Sequence, residues 1–164
     1  MADHRNKHVM LSYQWDNKAT VLEIYDALTA QGYTVWMDVK GGMRENLHAS
    51  MEDGVENSWA VVCFLTQAYQ DSKNCQAELT YAKEQRKNII PVYMQSSWKP
   101  SGYLGIILAG AIYIKGSSSS TESLTTAIVE KLQMISSDQD IGNISYHGRL
   151  LHQFIAFSFS FLSS

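Results

Sequence analysis

The sequence has 164 residues, of which 45% are hydrophobic and 18% are charged, a composition typical of one soluble globular domain and not of a disordered chain. A net charge of −3 and only 13 scattered lysines and arginines argue against a nucleic-acid partner, because phosphate-tracking proteins concentrate basic residues. Two cysteines without a C-x-x-C spacing predict neither a metal site nor disulfides, and a polar amino terminus without a membrane-length apolar run predicts a cytoplasmic protein that contacts no membrane.

Apolar runs alternate with helical spacings along most of the chain. The first unit is a strand from Val9 to Tyr13, followed by a helix with Asp16 or Asn17 as its cap and Gly32 as its stop. The later predicted strands are Tyr33 to Asp38, Trp59 to Thr66, 88–94 and Ala111 to Ile114. The later predicted helices are 46–57, Cys75 to about Gln85, a short one within 96–110, and 121–135, with 67–74 as a loop.

Strands that alternate with helices need crossover connections, so the pattern predicts a doubly wound α/β fold with a five-stranded parallel sheet and helices on both faces. The periodicity fades after residue 135, which divides the chain into a domain at 1–135 and a tail at 136–164. A phenylalanine-rich cluster at 154–162 leaves open an extra strand, docking on the core or aggregation, and the tail receives no function.

Ligands of open parallel sheets bind beyond the carboxyl ends of the strands. Aromatic and hydrogen-bonding side chains occupy these ends, among them Ser12, Tyr13, Gln14, Trp15, Asp38, Thr66, Gln67, Tyr69 and Trp98. They suit a nucleotide or a partner surface, but polar loop ends are common to this fold, so the residues alone leave both interpretations open. The sequence contains no G-x-G-x-x-G, phosphate loop, H-E-x-x-H or G-x-S-x-G motif.

One carboxylate is unusual. In "NCQAELTYA", residues 74–82, Glu78 has Asn74, Cys75, Tyr81 and Ala82 three and four positions away, so no base on its own helix is placed to pair with it. It is either a solvated surface acid or a group held for chemistry.

An ordered series of segments resembles the Toll/interleukin-1 receptor (TIR) domain family over about residues 7–135. "VMLSYQW" resembles its first box, "GYTVWMDVKGGMRENLHASMEDGVENSWAVVCFLT" its second strand, BB loop, second helix and third strand, and "YQDSKNCQAELTYA" the approach to its third helix. "NIIPVYM" and "SSWKPSGYLGIILAG" resemble the fourth strand and the loop after it, most like animal TIR proteins of the non-receptor kind. The resemblance implies a flavodoxin-like architecture.

The resemblance implies two functions of different classes. One is an enzyme that, when self-associated, cleaves NAD+ to nicotinamide and ADP-ribose or a cyclic form of it, in innate immune or stress signalling. The other is a catalytically silent scaffold that binds other TIR domains. NAD+ is then a substrate, and no cofactor or metal is implied.

In enzymatic members of the family a glutamate on the third helix is essential, and Glu78 matches it. A carboxylate beside the ribose can stabilise the oxocarbenium-like transition state that forms as nicotinamide leaves. The charge of a nearby helix start would keep Glu78 ionised. The expected NAD-binding residues are Tyr13, Gln14, Trp15, Asp38 and Trp98.

The resemblance places assembly contacts on the BB loop, at Lys40, Gly41, Gly42, Met43 and Arg44. Three features depart from the family pattern. Gln14 and Trp15 stand where some NAD-cleaving relatives have basic residues, Asn74 stands where some have an aromatic residue, and the BB loop lacks the proline of many signalling receptors. Phosphate contacts are therefore expected from backbone amides, Lys40, Arg44 or another subunit.

Overall fold

A computed structural model describes residues 7–38 and 47–137, with the backbone alone for 47–51. Its strands are β1 (His8–Tyr13), β2 (Val35–Met37), β3 (Ser58–Leu65), β4 (Asn88–Tyr93) and β5 (Ile114–Lys115). All neighbouring strands pair in parallel, in the order β2-β1-β3-β4-β5. The predicted flavodoxin-like, doubly wound sheet is confirmed.

The described residues form six helices, of which five lie between strands and the sixth follows β5. They are α1 (Lys18–Ala30), α2 (Leu47–Glu56), α3 (Gln67–Asp71), α4 (Lys73–Glu84), α5 (Gly102–Ile107) and α6 (121–137). No helix in the described part of the chain is long and apolar enough to cross a membrane. The predicted assembly residues of the BB loop and the tail beyond residue 137 lie outside the described residues.

The helices divide between the two faces of the sheet because successive strand side chains point in opposite directions. In β1, Val9 and Leu11 pack with α1 and α6, whereas Met10 packs with α2 to α5. Strand β3 is buried along both faces, as its uninterrupted apolar run predicts for a central parallel strand. We call the two sides the α1/α6 face and the α2–α5 face.

Several predicted elements differ from the structure. Strand β2 comprises Val35–Met37 rather than Tyr33 to Asp38, and α4 begins at Lys73 rather than Cys75. Strand β5 begins at Ile114 rather than Ala111, because residues 111–113 are exposed and do not pair. The predicted loop after β3 contains α3, which is capped by Thr66 through a 3.1 Å bond from the Tyr69 amide. Helix α1 begins after a 3₁₀ turn, Trp15–Asn17, that is capped by the Gln14 side chain, and Asn17 itself makes no side-chain cap.

The strand order reverses direction next to β1. The chain passes from β1 outward to β2 on one side, and then crosses to β3 on the other side of β1. Helices that leave neighbouring strands to opposite faces open a crevice at such a switch point, beyond the carboxyl ends of the strands. The carboxyl end of β1 is therefore the place in this fold where a ligand site is expected.

Candidate active site

Glu78 lies on the side of α4 that faces the sheet. Its neighbours Cys75, Leu79 and Ala82 form the buried stripe of this helix, and position 78, three after Cys75 and four before Ala82, falls on the same stripe. Part of the Glu78 side chain still reaches solvent. Glu78 is the sixth residue of α4, and therefore lies further from the helix start than predicted.

The carboxylate is tied to the end of β1 by a hydrogen bond. Ser12 Oγ donates to Glu78 Oε2 at 2.7 Å, and the same Ser12 oxygen lies 2.8 Å from the hydroxyl of Tyr69 on α3. Cys63 pairs with Ser12 across β1 and β3 and lies in the core of the same face. Ser12 and Tyr69 are fully buried, so two hydrogen-bonded hydroxyls lead from the core to Glu78.

Burial raises the pKa of Glu78 from 4.5 to about 7. The hydrogen bond from Ser12 lowers this pKa, and the charge of Asp38 raises it, but both effects are smaller than that of burial. The prediction that the helix start would keep Glu78 ionised is wrong, because the dipole acts mainly within the first turn and desolvation dominates further along the helix. Near neutral pH the group is therefore divided between its two protonation states.

Tyr13 and Asp38 lie next to Glu78. The Tyr13 hydroxyl donates to the main-chain oxygen of Asp38 at 2.6 Å, which joins the end of β1 to the residue after β2. Burial raises the pKa of Tyr13 to about 12, with smaller contributions from the charges of Asp38 and Glu78. The structure thus brings these three predicted site residues together.

Gln14 and Trp15 occupy the rim above this group. The Gln14 amide oxygen accepts from the Asp16 amide at 2.8 Å and so caps the 3₁₀ turn. The indole of Trp15 is 44% exposed, enough for a ligand to reach its ring. The ammonium of Lys18 lies 4.5 Å from the centroid of this ring.

Trp98 is separated from this group. It follows β4, two strands from β1 in the sheet, which corresponds to about 10 Å at the usual strand spacing. Its indole nitrogen donates to Gln67 Oε1 at 2.8 Å, and its ring meets Tyr93 edge-on with centroids 6.1 Å apart. The ring is therefore held in the second half of the rim, where only an extended ligand would reach both it and Glu78.

The polar chain behind Glu78 was not predicted from the sequence. The sequence predicts Ser12 and Tyr69 as rim residues, whereas both side chains are buried in the structure. The available signal was the serine within an otherwise apolar strand, since a buried hydroxyl requires a partner. That the partner comes from α3 depends on the packing of the helix, which spacing does not show.

A cavity of about 420 Å³ lies at the opposite end of the sheet, where the strands begin. It is lined by residues near the starts of β1, β2 and β3 and by α6, including Lys7, Tyr33, Trp59 and Gln133. None of the predicted site residues contributes to its lining. Among residues 7–38 and 47–137, no group of three or more His, Cys, Asp or Glu side chains is arranged to hold a metal ion.

The fold and this site define a flavodoxin-like α/β domain with a half-buried carboxylate beside the switch point of its sheet. A sequence model of the TIR domain family matches residues 9–132, and the chain therefore belongs to that family.

A similar solved structure supports the fold. The TIR domain of the Toll-related receptor TRR-2 from Hydra magnipapillata aligns with a TM-score of 0.60 and 16% identity, covering 75% of this chain and 94% of that one. The TIR domains of the activated Roq1 resistosome, which directly recognises the pathogen effector XopQ, align with a TM-score of 0.46 and 22% identity, covering 52% of this chain and 56% of that one.

A curated relative is much longer. A glucose-6-phosphate isomerase from Sphingopyxis alaskensis (strain DSM 13593 / LMG 18877 / RB2256) is 27% identical over 88 residues, which is 53% of this chain. The matched segment spans only 18% of that relative's length.

Proposed function

We propose that this TIR domain is an NAD+ nucleosidase that releases nicotinamide from NAD+ and leaves ADP-ribose or a cyclic form of it. The observation that carries the proposal is the position of Glu78, a carboxylate held by Ser12 at 2.7 Å beside the switch point of the sheet. An unpaired surface acid needs neither this burial nor this anchoring.

The carboxylate suits the charge changes of the reaction. When the bond between ribose C1′ and the nicotinamide nitrogen breaks, its electron pair leaves with nicotinamide and positive charge develops on the ribose. A carboxylate in a desolvated crevice stabilises this charge more strongly than one in water. Water then adds to C1′ and loses a proton to give ADP-ribose, or an adenine nitrogen adds to give a cyclic product.

The raised pKa of Glu78 fits this role. A group with a pKa of about 7 changes its protonation state readily, and the cationic nicotinamide ring of bound NAD+ favours its ionised form. The further desolvation of the carboxylate on substrate binding costs little free energy, because burial has already removed much of its hydration. Activity should therefore require the ionised form and increase with pH through about 7.

The rim offers the rest of the binding surface. Trp15 presents an exposed indole for base stacking, and Tyr13 and Asp38 lie beside the carboxylate, where the ribose would be held. Gln14 contributes hydrogen bonds at the rim, and Trp98 would contact the far end of an extended dinucleotide. Lys40 and Arg44 are proposed phosphate contacts.

We further propose that activity requires self-association through the BB loop, at Lys40, Gly41, Gly42, Met43 and Arg44. A cytoplasmic role in innate immune or stress signalling, with other TIR domains as possible partners, is the biological setting that this activity suits. The proposed domain comprises residues 1–135, with 136–164 as a tail of unassigned role.

The test is nicotinamide release from NAD+ by concentrated purified protein, measured by chromatography. Glu78→Gln keeps the size of the side chain and removes the charge, and we expect it to lower the rate at least about 100-fold. Glu84→Gln is the matched control, because Glu84 is exposed at the end of the same helix. Equal rates for the wild type and Glu78→Gln would overturn the proposal.

The second candidate is a catalytically silent scaffold that binds other TIR domains. Exposed apolar side chains around α5 favour it, with Ile106 75% and Ile112 74% exposed. A scaffold would release no nicotinamide even when assembled. Its homotypic binding would be unchanged by Glu78→Ala and weakened by substitutions at Gly42 or Met43.

A further inference from the structure

We infer that Ser12 and Tyr69 are positioning residues for Glu78, and that their hydroxyls form a buried hydrogen-bonded chain that fixes the carboxylate through Oε2 and leaves Oε1 for the ligand. The kinetic consequence rests on the proposed function, whereas the effect on Glu78 itself does not. Oε1 receives no hydrogen bond from the described part of the chain, while Oε2 accepts from Ser12 at 2.7 Å.

The hydroxyl groups of this chain are buried in the core of the domain. Ser12 is 1% exposed, and Tyr69 is completely buried. A hydroxyl in an apolar core costs free energy unless it is hydrogen-bonded, and alanine or phenylalanine would fill these positions without that requirement. The chain of polar groups ends at the half-buried Glu78, where the core meets the crevice. Its geometry thus connects the core to one group at the candidate active site.

The number of protons fixes the direction of the bonds. Ser12 has one hydroxyl proton, and an ionised carboxylate can only accept, so Ser12 donates to Glu78. The 2.8 Å contact between Ser12 and Tyr69 then has the Tyr69 hydroxyl as its donor. Every bond in the chain points toward the carboxylate, an arrangement that polarises each donor and strengthens the last one.

Other titratable groups also face Glu78. They come from β1, the residue after β2, β3, α3 and α4, and they are Tyr13, Asp38, Cys63, Tyr69 and Cys75. Burial raises the pKa of each tyrosine and cysteine in this set far above neutral, to about 11 for Cys75 and about 12 for Cys63. These four groups therefore act on Glu78 as neutral dipoles.

Ser12 opposes the two influences that favour the protonated acid. Burial and the charge of Asp38 raise the pKa of Glu78, and the Ser12 hydrogen bond lowers it. Without the Ser12 hydroxyl, the first two effects would act alone and the pKa would rise further. Without the Tyr69 hydroxyl, Ser12 could still donate to Glu78 but would lose its own donor, so the change should be smaller and in the same direction.

The experiment titrates Glu78 directly by ¹³C NMR of protein labelled at the glutamate side-chain carboxyl carbons, with Glu78→Gln to assign the resonance. We expect Ser12→Ala to raise the midpoint by about 1 pH unit, as a charge-assisted hydrogen bond implies, and Tyr69→Phe to raise it by less. Ser96→Ala and Tyr103→Phe are matched controls at exposed positions and should leave it unchanged. An unchanged midpoint in both Ser12→Ala and Tyr69→Phe would overturn the inference.

The kinetic arm separates this inference from the proposed function. In an active enzyme, Ser12→Ala should lower kcat about tenfold with little change in KM, and shift the pH profile toward higher pH. Ser12→Thr, which restores the hydroxyl, should recover both. If the wild type releases no nicotinamide, the proposed function fails, and the NMR midpoints still decide the role of Ser12. If Ser12→Ala does not fold, Tyr69→Phe provides the same test.

Discussion

The two faces of the sheet are built on the same strands but are packed differently. On the α1/α6 face, helix residues such as Ile24, Leu28 and Ile128 meet apolar strand residues. Its buried Thr125 donates within its own helix to the Thr121 main-chain oxygen at 2.8 Å. On the α2–α5 face, strand β1 and helix α3 contribute hydroxyls that bond to each other and lead to Glu78 on α4.

This difference indicates where stability and function are located. The α1/α6 face has the composition that burial alone favours. The α2–α5 face contains a carboxylate whose ionised form is disfavoured by burial, together with buried hydroxyls that are satisfied only in one arrangement. Groups that lower stability and are nevertheless precisely bonded are characteristic of functional sites.

The largest effect on stability should come from the α1/α6 face. Leu28→Ala removes a completely buried side chain and should lower the free energy of unfolding by about 2–5 kcal/mol. Leu22→Ala, on the exposed side of the same helix, is the control and should cost less than about 1 kcal/mol. Urea unfolding measures both. Equal effects of the two substitutions would contradict the assignment of this face as the apolar core.

Glu78→Gln should instead stabilise the protein. The pKa of Glu78 is about 7 in the folded state against 4.5 for the free group, so the unfolded state ionises first as the pH rises. The contribution of this group to the free energy of unfolding is then highest below pH 4.5. It falls between pH 4.5 and about pH 7, and is constant at higher pH. Glu78→Gln has no carboxyl group to ionise and does not lose this free energy of unfolding. We therefore expect the variant to be more stable than the wild type by about 1–3 kcal/mol at about pH 8.

Thermal or urea unfolding at several pH values measures this gain. The difference between Glu78→Gln and the wild type should be small below about pH 4.5 and grow until about pH 7. Glu84→Gln should show no such trend, because the side chain is exposed. A wild type that gains stability relative to Glu78→Gln as the pH rises would show that the carboxylate is stabilised in its ionised form.

Tyr69→Phe should lower stability moderately. It keeps the buried ring but leaves Ser12 without the hydroxyl that bonds to it, which we expect to cost about 1–2 kcal/mol. Tyr103→Phe at an exposed position should change the unfolding free energy by less than about 0.5 kcal/mol. If both substitutions have equal effects, the buried chain is not bonded as described.

The smallest effect on stability is expected at the rim. Trp15→Ala removes a 44% exposed ring, and its folding free energy should change by less than about 1 kcal/mol. For the proposed nucleosidase, the KM for NAD+ should rise about fivefold, because the variant lacks the proposed stacking surface for a base and retains the carboxylate. Steady-state kinetics and urea unfolding separate the two outcomes. An unchanged KM would place the bound base elsewhere on the rim.

The sequence predicts the larger elements because each of them has its own hydrophobic period. Strand β3 and helix α1 follow from runs and spacings that local physics determines. The short elements are less accessible, since α3 has five residues and β5 only two. The start of β5 at Ile114 depends on pairing with Val92, which no local pattern shows.

The candidate site follows from the sequence only in part. Resemblance to the TIR family identifies Glu78, and the carboxyl ends of the strands identify Tyr13 and Asp38 as its neighbours. The environment of Glu78 depends on tertiary burial, so the sequence led to the wrong expectation for its ionisation. The hydrogen bond between Ser12 and Tyr69 also depends on tertiary packing, because the two residues are 57 positions apart in the sequence.

The most direct test of the account is the pH profile of nicotinamide release by the concentrated wild-type protein. If the ionised carboxylate of Glu78 stabilises the developing ribosyl cation, the rate should increase with pH through about 7 and level off above it, and Glu78→Gln should show no comparable rate at any pH. A rate that is constant from about pH 5.5 to 8.5, or a profile that Glu78→Gln retains, would contradict the central role of this carboxylate.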